Sequence, residues 1–110
     1  MSKKCPDKWI ILEFTSEEYG TFRKILSSWY GGYLGGDSWN LSSPIINFDT
    51  KDSCYEIKTE SSIYVCHKNH YGMSSYASSV YERMLESAKS KNISLTFIKE
   101  TELIKCHTQQ

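Results

Sequence analysis

The sequence has no excess of charge of either sign, because thirteen Lys and Arg residues balance thirteen Asp and Glu residues. Domains whose main task is to neutralise nucleic-acid phosphates usually carry a basic excess, so direct nucleic-acid binding is not expected. A chain with zero formal net charge also has little colloidal repulsion between its copies. The composition therefore leaves a homodimer open.

Long hydrophobic runs are missing as well. The apolar run WIIL, at residues 9–12, is far shorter than the roughly 20 residues that a membrane-spanning helix needs. The N-terminal segment MSKKCPDKW carries charges with no apolar stretch behind them, which is not the pattern of a secretory signal. We therefore expect a protein of the cytosol with no membrane association. Its four cysteines are then reduced thiols: Cys5, Cys54, Cys66 and Cys106.

The first regular element is a strand at residues 8–15, KWIILEFT, followed by a segment that fits two structures. A helix at residues 17–29 would begin with a capping box formed by Thr15 and Glu18. Its apolar residues would recur at helical spacing: Phe22, Ile25, Leu26 and Trp29. A β-hairpin would instead use SEEYG as its loop, with Gly20 supplying a positive φ. The hairpin is favoured, because Gly20 inside a helix costs about 1 kcal/mol relative to alanine.

Three further segments are typical of strands: PIINFD at 44–49, CYEIKT at 54–59 and IYVCHK at 63–68. Alternation in the last two predicts an antiparallel hairpin with one side facing the core. The predicted register pairs Tyr55 with Val65 and Ile57 with Ile63 on the core side, and Cys54 with Cys66 on the other side.

An amphipathic helix is predicted at residues 73–91, with Ser74 or Ser75 as its N-cap and Asn92 as a left-handed residue after its end. ISLTFIKE, at residues 93–100, is then a strand that returns to the sheet.

These elements indicate an α+β fold in a single domain covering residues 1–110. It would hold an antiparallel β-sheet of about five to seven strands, with the main helix packed on one face. Residues 1–7 and 105–110 are expected to be frayed.

The segment SWYGGYLGGDSWNLSSP, at residues 28–44, holds four of the six glycines and two of the three tryptophans. It contains neither of the glycine-rich phosphate-binding motifs, G-x-x-x-x-G-K-[ST] or G-x-G-x-x-G. Two roles remain open for it: a bent structural connection anchored by its tryptophans, or an exposed surface that binds a partner protein or a nucleotide-type molecule. The candidate binding residues are Trp29, Tyr30, Tyr33, Asp37 and Trp39.

Metal-binding and nucleophilic residues are few and scattered. Cys66, His67 and His70 fall within CHKNH, and the predicted register brings Cys54 beside Cys66. Cys54, Cys66 and His70 are therefore the zinc candidates, and the same cysteines are the candidates for a thiol nucleophile. The chain has no C-x-x-C pair, and successive strand residues point to opposite faces. We expect no metal, no cofactor and no catalytic residue.

The segments WYGGYLGGDSWNLSSPI and SSIYVCHKNHYGMSSY resemble parts of small uncharacterised proteins encoded by tailed bacteriophages. In those proteins a W-x-G-G-Y…G-x-S-W segment precedes a Ser-x-x-Tyr strand and a Tyr-Gly before a helix. The resemblance covers about the middle half of the chain and carries no catalytic motif.

The resemblance implies a phage or mobile-element accessory protein of the kind that is often non-enzymatic and blocks host defences. Combined with the aromatic segment, it leads us to expect a non-enzymatic protein of the host cytosol that binds and inhibits a host defence protein through an exposed surface around residues 30–39. One alternative is a small-ligand protein that captures a nucleotide-type molecule in the same loop. A second alternative is a Cys/His zinc-binding protein or a cysteine enzyme.

Overall fold

A computed structural model describes residues 2–31, 38–100 and 102, and within them the fold is α+β, as predicted. The strands are β1 (Ser2–Lys4), β2 (Lys8–Ser16), β3 (Gly20–Trp29), β4 (Ser38–Leu41), β5 (Ile45–Thr50), β6 (Cys54–Thr59), β7 (Ser62–His67) and β8 (Ser94–Phe97). A 3-10 turn, Lys68–His70, and the helix α1, Ser75–Ser90, lie between β7 and β8.

The described strands form two sheets rather than the single sheet that we expected. Sheet A has the order β1-β7-β6-β5, and sheet B has the order β4-β3-β2-β8. Neighbours are antiparallel except β1 and β7, which pair in parallel. Alternation of apolar and polar residues identifies strands but does not indicate which strands share hydrogen bonds. The division into two sheets could therefore not be predicted from local sequence.

Sheet B is the middle of three layers, and its central strands β2 and β3 contribute buried residues to both faces. One face of β2, with Trp9 and Ile11, packs against sheet A residues such as Tyr64. The other face, with Ile10 and Leu12, packs against α1. The uninterrupted apolar run of β2 is the sequence mark of this position, because a strand covered on both faces has no solvent side for polar residues.

The first hairpin is confirmed, and the alternative helix at residues 17–29 does not form. β2 and β3 pair in antiparallel from Lys8 opposite Ser28 to Ser16 opposite Gly20. Gly20 has a φ of 73°, and the N–H of Tyr19 donates to the Ser16 hydroxyl at 2.9 Å. Positive φ at this turn is why glycine is required there.

The second hairpin forms, but its predicted register is wrong by one residue. The Thr59 hydroxyl donates to the Ser62 carbonyl at 3.0 Å, and the Ser62 N–H donates back to that hydroxyl at 3.1 Å. These bonds close the turn over Glu60 and Ser61. The observed pairs are Tyr55 with Cys66, Ile57 with Tyr64 and Cys54 with His67.

A one-residue slip moves a whole strand face to the opposite side of the sheet. Ser62, Tyr64 and Cys66 are therefore the buried residues of β7. Ile63 and Val65, predicted to face the core, are only partly buried and lie on the outer face of sheet A.

The helix lies within its predicted bounds. The Ser74 hydroxyl accepts the N–H of Ala77 at 3.1 Å as the N-cap, and Asn92 has a φ of 58° just after the C-cap. β8 is shorter than the predicted strand at 93–100 and pairs in antiparallel with β2. No helix in the described part of the chain is both long and apolar enough to cross a membrane.

The expectation of a frayed N-terminus is wrong for residues 2–7. β1 pairs with β7, with Ser2 opposite Ser62, and Pro6 is fully buried. Pairing with β7 gives hydrogen-bond partners to the backbone N–H and carbonyl groups of β1. The residues of β1 are polar, so hydrophobic patterning could not predict this strand. Residues 105–110 lie outside the described residues.

Candidate functional site

The glycine-rich connection begins at the end of β3 and ends at the start of β4. Trp29 is paired with Ser38, so the two ends of the connection are neighbours in sheet B. Of the five predicted binding residues, Trp29, Tyr30 and Trp39 lie in the described part. Tyr33 and Asp37 lie outside the described residues.

Trp29 and Tyr30 differ in their surroundings. Trp29 is partly buried, and its indole N–H donates to the carbonyl oxygen of Cys5 at 3.0 Å. This contact supports the anchoring role for Trp29. Tyr30 is 55% exposed, while its backbone N–H donates to a carboxylate oxygen of Asp7 at 2.8 Å. Its backbone is therefore held in place while its ring faces solvent.

Trp39 is an exposed aromatic residue on β4, an edge strand of sheet B, with 40% of its surface accessible. Leu41, two residues later, packs into the cluster beneath α1, so alternation places Trp39 on the helix side of the sheet. Its partner in the β3–β4 ladder is Ser28, whose hydroxyl accepts a hydrogen bond from Ser74 at 3.3 Å. Trp39 therefore lies opposite Ser28, which is hydrogen-bonded to Ser74, the N-cap residue of α1.

The hydrogen-bond pattern shows which backbone groups of β4 face its open edge. The N–H of Ser42 donates to the carbonyl of Ile25 at 3.0 Å. Hydrogen-bonded and non-bonded pairs alternate along an antiparallel ladder, so Ser38 and Asn40 also direct their backbone groups toward β3. The backbone groups of Trp39 and Leu41 then point away from β3, toward the side where the described residues provide no further strand.

The inner side of β4 is tied to sheet A. The side-chain amide of Asn40 donates to the hydroxyl of Tyr64 at 2.6 Å, and Tyr64 is only 1% exposed. Burial raises the pKa of Tyr64 despite the opposing effect of the Asn40 hydrogen bond. The strand that carries the open edge is therefore held on its inner side by a partly buried hydrogen bond to sheet A.

The candidate metal ligands Cys54, Cys66 and His70 do not come together. Cys66 is fully buried between the sheets, while His70 is exposed, and Cys54 lies opposite His67 because of the shifted register. In the described part of the chain, no three His, Cys, Asp or Glu side chains are placed together to hold a metal ion.

Cys66 is also poorly suited to be a nucleophile. Burial raises the pKa of the Cys66 thiol strongly, and the neighbouring Cys5 and Cys54 act in the same direction. The side chain is thus held as the neutral thiol, whereas nucleophilic cysteines are thiolates with a lowered pKa. The thiol is better explained as a small apolar residue of the core.

Sequence reasoning missed an open cleft of about 730 Å³ at the opposite end of β3. It is lined by the β2–β3 turn and the segment after α1: Ser16, Glu17, Glu18, Tyr19, Lys91, Asn92 and Ile93. The sequence marks both segments as turns, through Gly20 and Asn92. It holds no signal that they meet, because their contact depends on how α1 packs across sheet B.

Comparisons with protein-family models, with curated proteins and with solved structures find no match to this chain. Function is therefore inferred from the residues and geometry of the chain itself.

Proposed function

We propose that the protein is a non-enzymatic binding protein whose partner docks on the β4 surface, defined as Tyr30, Trp39 and the open backbone edge of β4. The observation that carries the proposal is the exposure of two large aromatic side chains on a fixed backbone. Tyr30 is 55% and Trp39 is 40% exposed, although each follows or lies within a strand of the central sheet.

Rigid exposed aromatics are favourable contact residues. Tyr and Trp are enriched among the few residues that carry most of the binding energy at protein interfaces. Ordering a side chain on binding costs about 0.5–1.5 kcal/mol, and a fixed backbone lowers the total cost. The hydrogen bonds from Tyr30 to Asp7 and from Trp29 to Cys5 supply that fixed backbone.

The open edge of β4 adds a second means of recognition. The N–H and carbonyl groups of Trp39 and Leu41 face this edge, and a partner segment in extended conformation could pair with them as an added strand. Main-chain pairing would supply affinity, while Trp39 and Tyr30 would select the side chains of the partner. The proposed partner is therefore a protein with an extended apolar segment.

The resemblance to tailed-phage accessory proteins supports a host defence protein as that partner. Inhibition would then come from occupancy of the partner's surface. The neutral, buried thiol of Cys66 fits a chain that does not use cysteine chemistry.

A capture experiment from bacterial lysate tests the proposal, with the protein immobilised as wild type, Tyr30→Ala, Trp39→Ala and Tyr19→Ala. Tyr19 is a matched control, because it is 70% exposed but lies on the β2–β3 turn at the far end of the sheet. We expect wild type and Tyr19→Ala to recover the same protein, and the other two variants to lose it. Equal recovery by all four forms, or no recovery by wild type, would count against the β4 surface.

Amide hydrogen exchange tests the edge-pairing element separately. Ser38 and Asn40 direct their N–H groups toward β3 and should exchange slowly in the free protein. The amides of Trp39 and Leu41 should exchange quickly alone and slowly once the captured partner is added. If partner binding leaves these two amides unchanged, the partner does not add a strand to β4.

A further inference from the structure

Sheet A is an outer layer of the fold, because sheet B lies between it and α1. Its buried residues, such as Ile57 and Tyr64, pack toward sheet B. Successive strand residues point to opposite faces, so the residues between them form the outer face of sheet A. The described elements provide no further layer over this face. It is therefore a surface on which another chain can pack.

The strand registers arrange this outer face in two rows that run across the strands. The first row consists of Lys3, Ile63, Lys58 and Asn47. The second row consists of Val65, Glu56 and Asp49. Each row thus has one branched apolar residue on β7, while the lysines lie in the first row and the carboxylates in the second. The side-chain amide of Asn47 donates to the carboxylate of Asp49 at 3.5 Å, so side chains of the two rows lie within contact distance.

The groups at the centre of the two rows are available for contact. Ile63 and Val65 are only partly buried, although branched apolar residues are among those most often found inside proteins. Lys58 and Glu56 are partly buried as well, and neither forms an ion pair within the described part of the chain. The centre of the outer face therefore combines two apolar side chains with one positive and one negative charge.

A two-fold axis that runs between the two rows makes this face complementary to itself. Rotation about that axis lays the first row of one copy on the second row of the other. Ile63 then meets Val65 of the second copy, Lys58 meets Glu56 of the second copy, and symmetry makes each contact occur twice. Sheets packed face to face keep their strands aligned within about 30°, so short strands hold this register.

We propose that the outer face of sheet A packs against the same face of a second copy of this chain to form a symmetric homodimer. The contacts of Ile63 with Val65 supply affinity, while the contacts of Lys58 with Glu56 fix the register and disfavour other alignments. A formal net charge of zero leaves the two copies with little overall repulsion. The β4 surface belongs to sheet B, so the two proposals stand or fall separately.

The size of the face sets the strength that we expect. Strands β5, β6 and β7 have six residues each. The four-stranded face therefore measures roughly 20 Å along the strands and about 15 Å across them. An interface of this size is at the low end of those found in specific complexes. The dimer should therefore be weak and in exchange with the monomer.

Sedimentation velocity of the full chain, from micromolar concentrations up to about 1 mM, tests the dimer. The wild-type sedimentation coefficient should rise with concentration from that of a monomer toward that of a dimer. Lys58→Glu and Glu56→Lys each bring like charges together twice, so each should weaken self-association by at least about tenfold. An equimolar mixture of these two variants should associate again, because each supplies the charge that the other lacks.

Glu86→Lys and Lys89→Glu are the controls, because they make the same changes of net charge at exposed positions of α1. Both should associate like wild type, and far-ultraviolet circular dichroism should show that every variant is folded. A wild-type chain that stays monomeric over the whole concentration range would overturn the dimer. Wild-type association of either Lys58→Glu or Glu56→Lys, or a mixture of the two that stays monomeric, would overturn this interface. Equal weakening by the α1 controls would overturn it as well.

Discussion

The indole N–H of Trp9 donates to the carbonyl oxygen of His67 at 2.8 Å and so joins the middle sheet to the outer sheet. Trp9 is fully buried and makes edge-to-face contacts with Tyr55 and Tyr71, with ring centres 5.7 and 4.7 Å away. Trp9 therefore packs between the two sheets and also fixes the backbone at the start of the turn that carries His70.

Replacing Trp9 with phenylalanine should lower the free energy of unfolding by about 2–4 kcal/mol. An unpaired buried acceptor costs about 1–3 kcal/mol, and the lost ring volume adds a cavity cost. Urea denaturation measures the change. Trp39→Phe, at a partly exposed edge position, should stay within about 0.5 kcal/mol of wild type. Equal effects of the two substitutions would contradict the central position of Trp9.

Replacing Ser74 with alanine should cost about 1 kcal/mol of stability. Its hydroxyl caps α1 by accepting the N–H of Ala77 and also donates to the Ser28 hydroxyl. Ser75→Ala is the matched control, since Ser75 is exposed in the first turn and should change stability little. Thermal or urea unfolding measures both variants, and a harmless Ser74→Ala would show that the cap contributes nothing.

The thiol of Cys66 should make the fold less stable in alkaline solution. Burial raises the pKa of Cys66 above its ordinary value of 9.0, so the unfolded chain loses this proton at a lower pH than the folded chain. The contribution of the protonated Cys66 thiol to the free energy of unfolding is complete below about pH 8.5. It declines as the pH rises further, by at most about 1.4 kcal/mol per pH unit.

Urea denaturation between pH 8 and pH 10 tests this dependence in wild type and Cys66→Ala. The variant should be less stable at pH 8 but should lose less stability as the pH rises. Tyrosines with raised pKa values, Tyr55, Tyr64 and Tyr81, act in the same direction at higher pH in both proteins. Parallel curves for the two proteins would rule out the contribution of Cys66.

Local sequence patterns were sufficient for most elements, because each depends on residues close in the chain. Gly20 sets the first turn through its positive φ, and Ser74 and Asn92 mark the ends of α1. The pairing of β1 with β7 and the split into two sheets depend on distant segments. Nothing in the polar segment SKK indicates that β1 pairs with β7.

The register of the second hairpin shows how a small local error changes the candidate site. Alternation alone allows Val65 or Cys66 opposite Tyr55, and the choice depends on the Thr59–Ser62 hydrogen bonds that close the turn. The predicted register placed Cys66 opposite Cys54, whereas the structure places His67 there. In the aromatic segment, Tyr30 and Trp39 were candidates for binding from the sequence alone. Their exposure could not be predicted, since burial depends on packing between layers.

The most direct test of the β4 surface is the dissociation constant of the captured partner for Trp39→Ala and for Tyr19→Ala, each compared with wild type by calorimetry. A central interface residue that contributes about 2 kcal/mol or more corresponds to a loss of roughly 30-fold in affinity. We predict that loss for Trp39→Ala and an unchanged constant for Tyr19→Ala. Equal dissociation constants for wild type and Trp39→Ala would contradict the proposal.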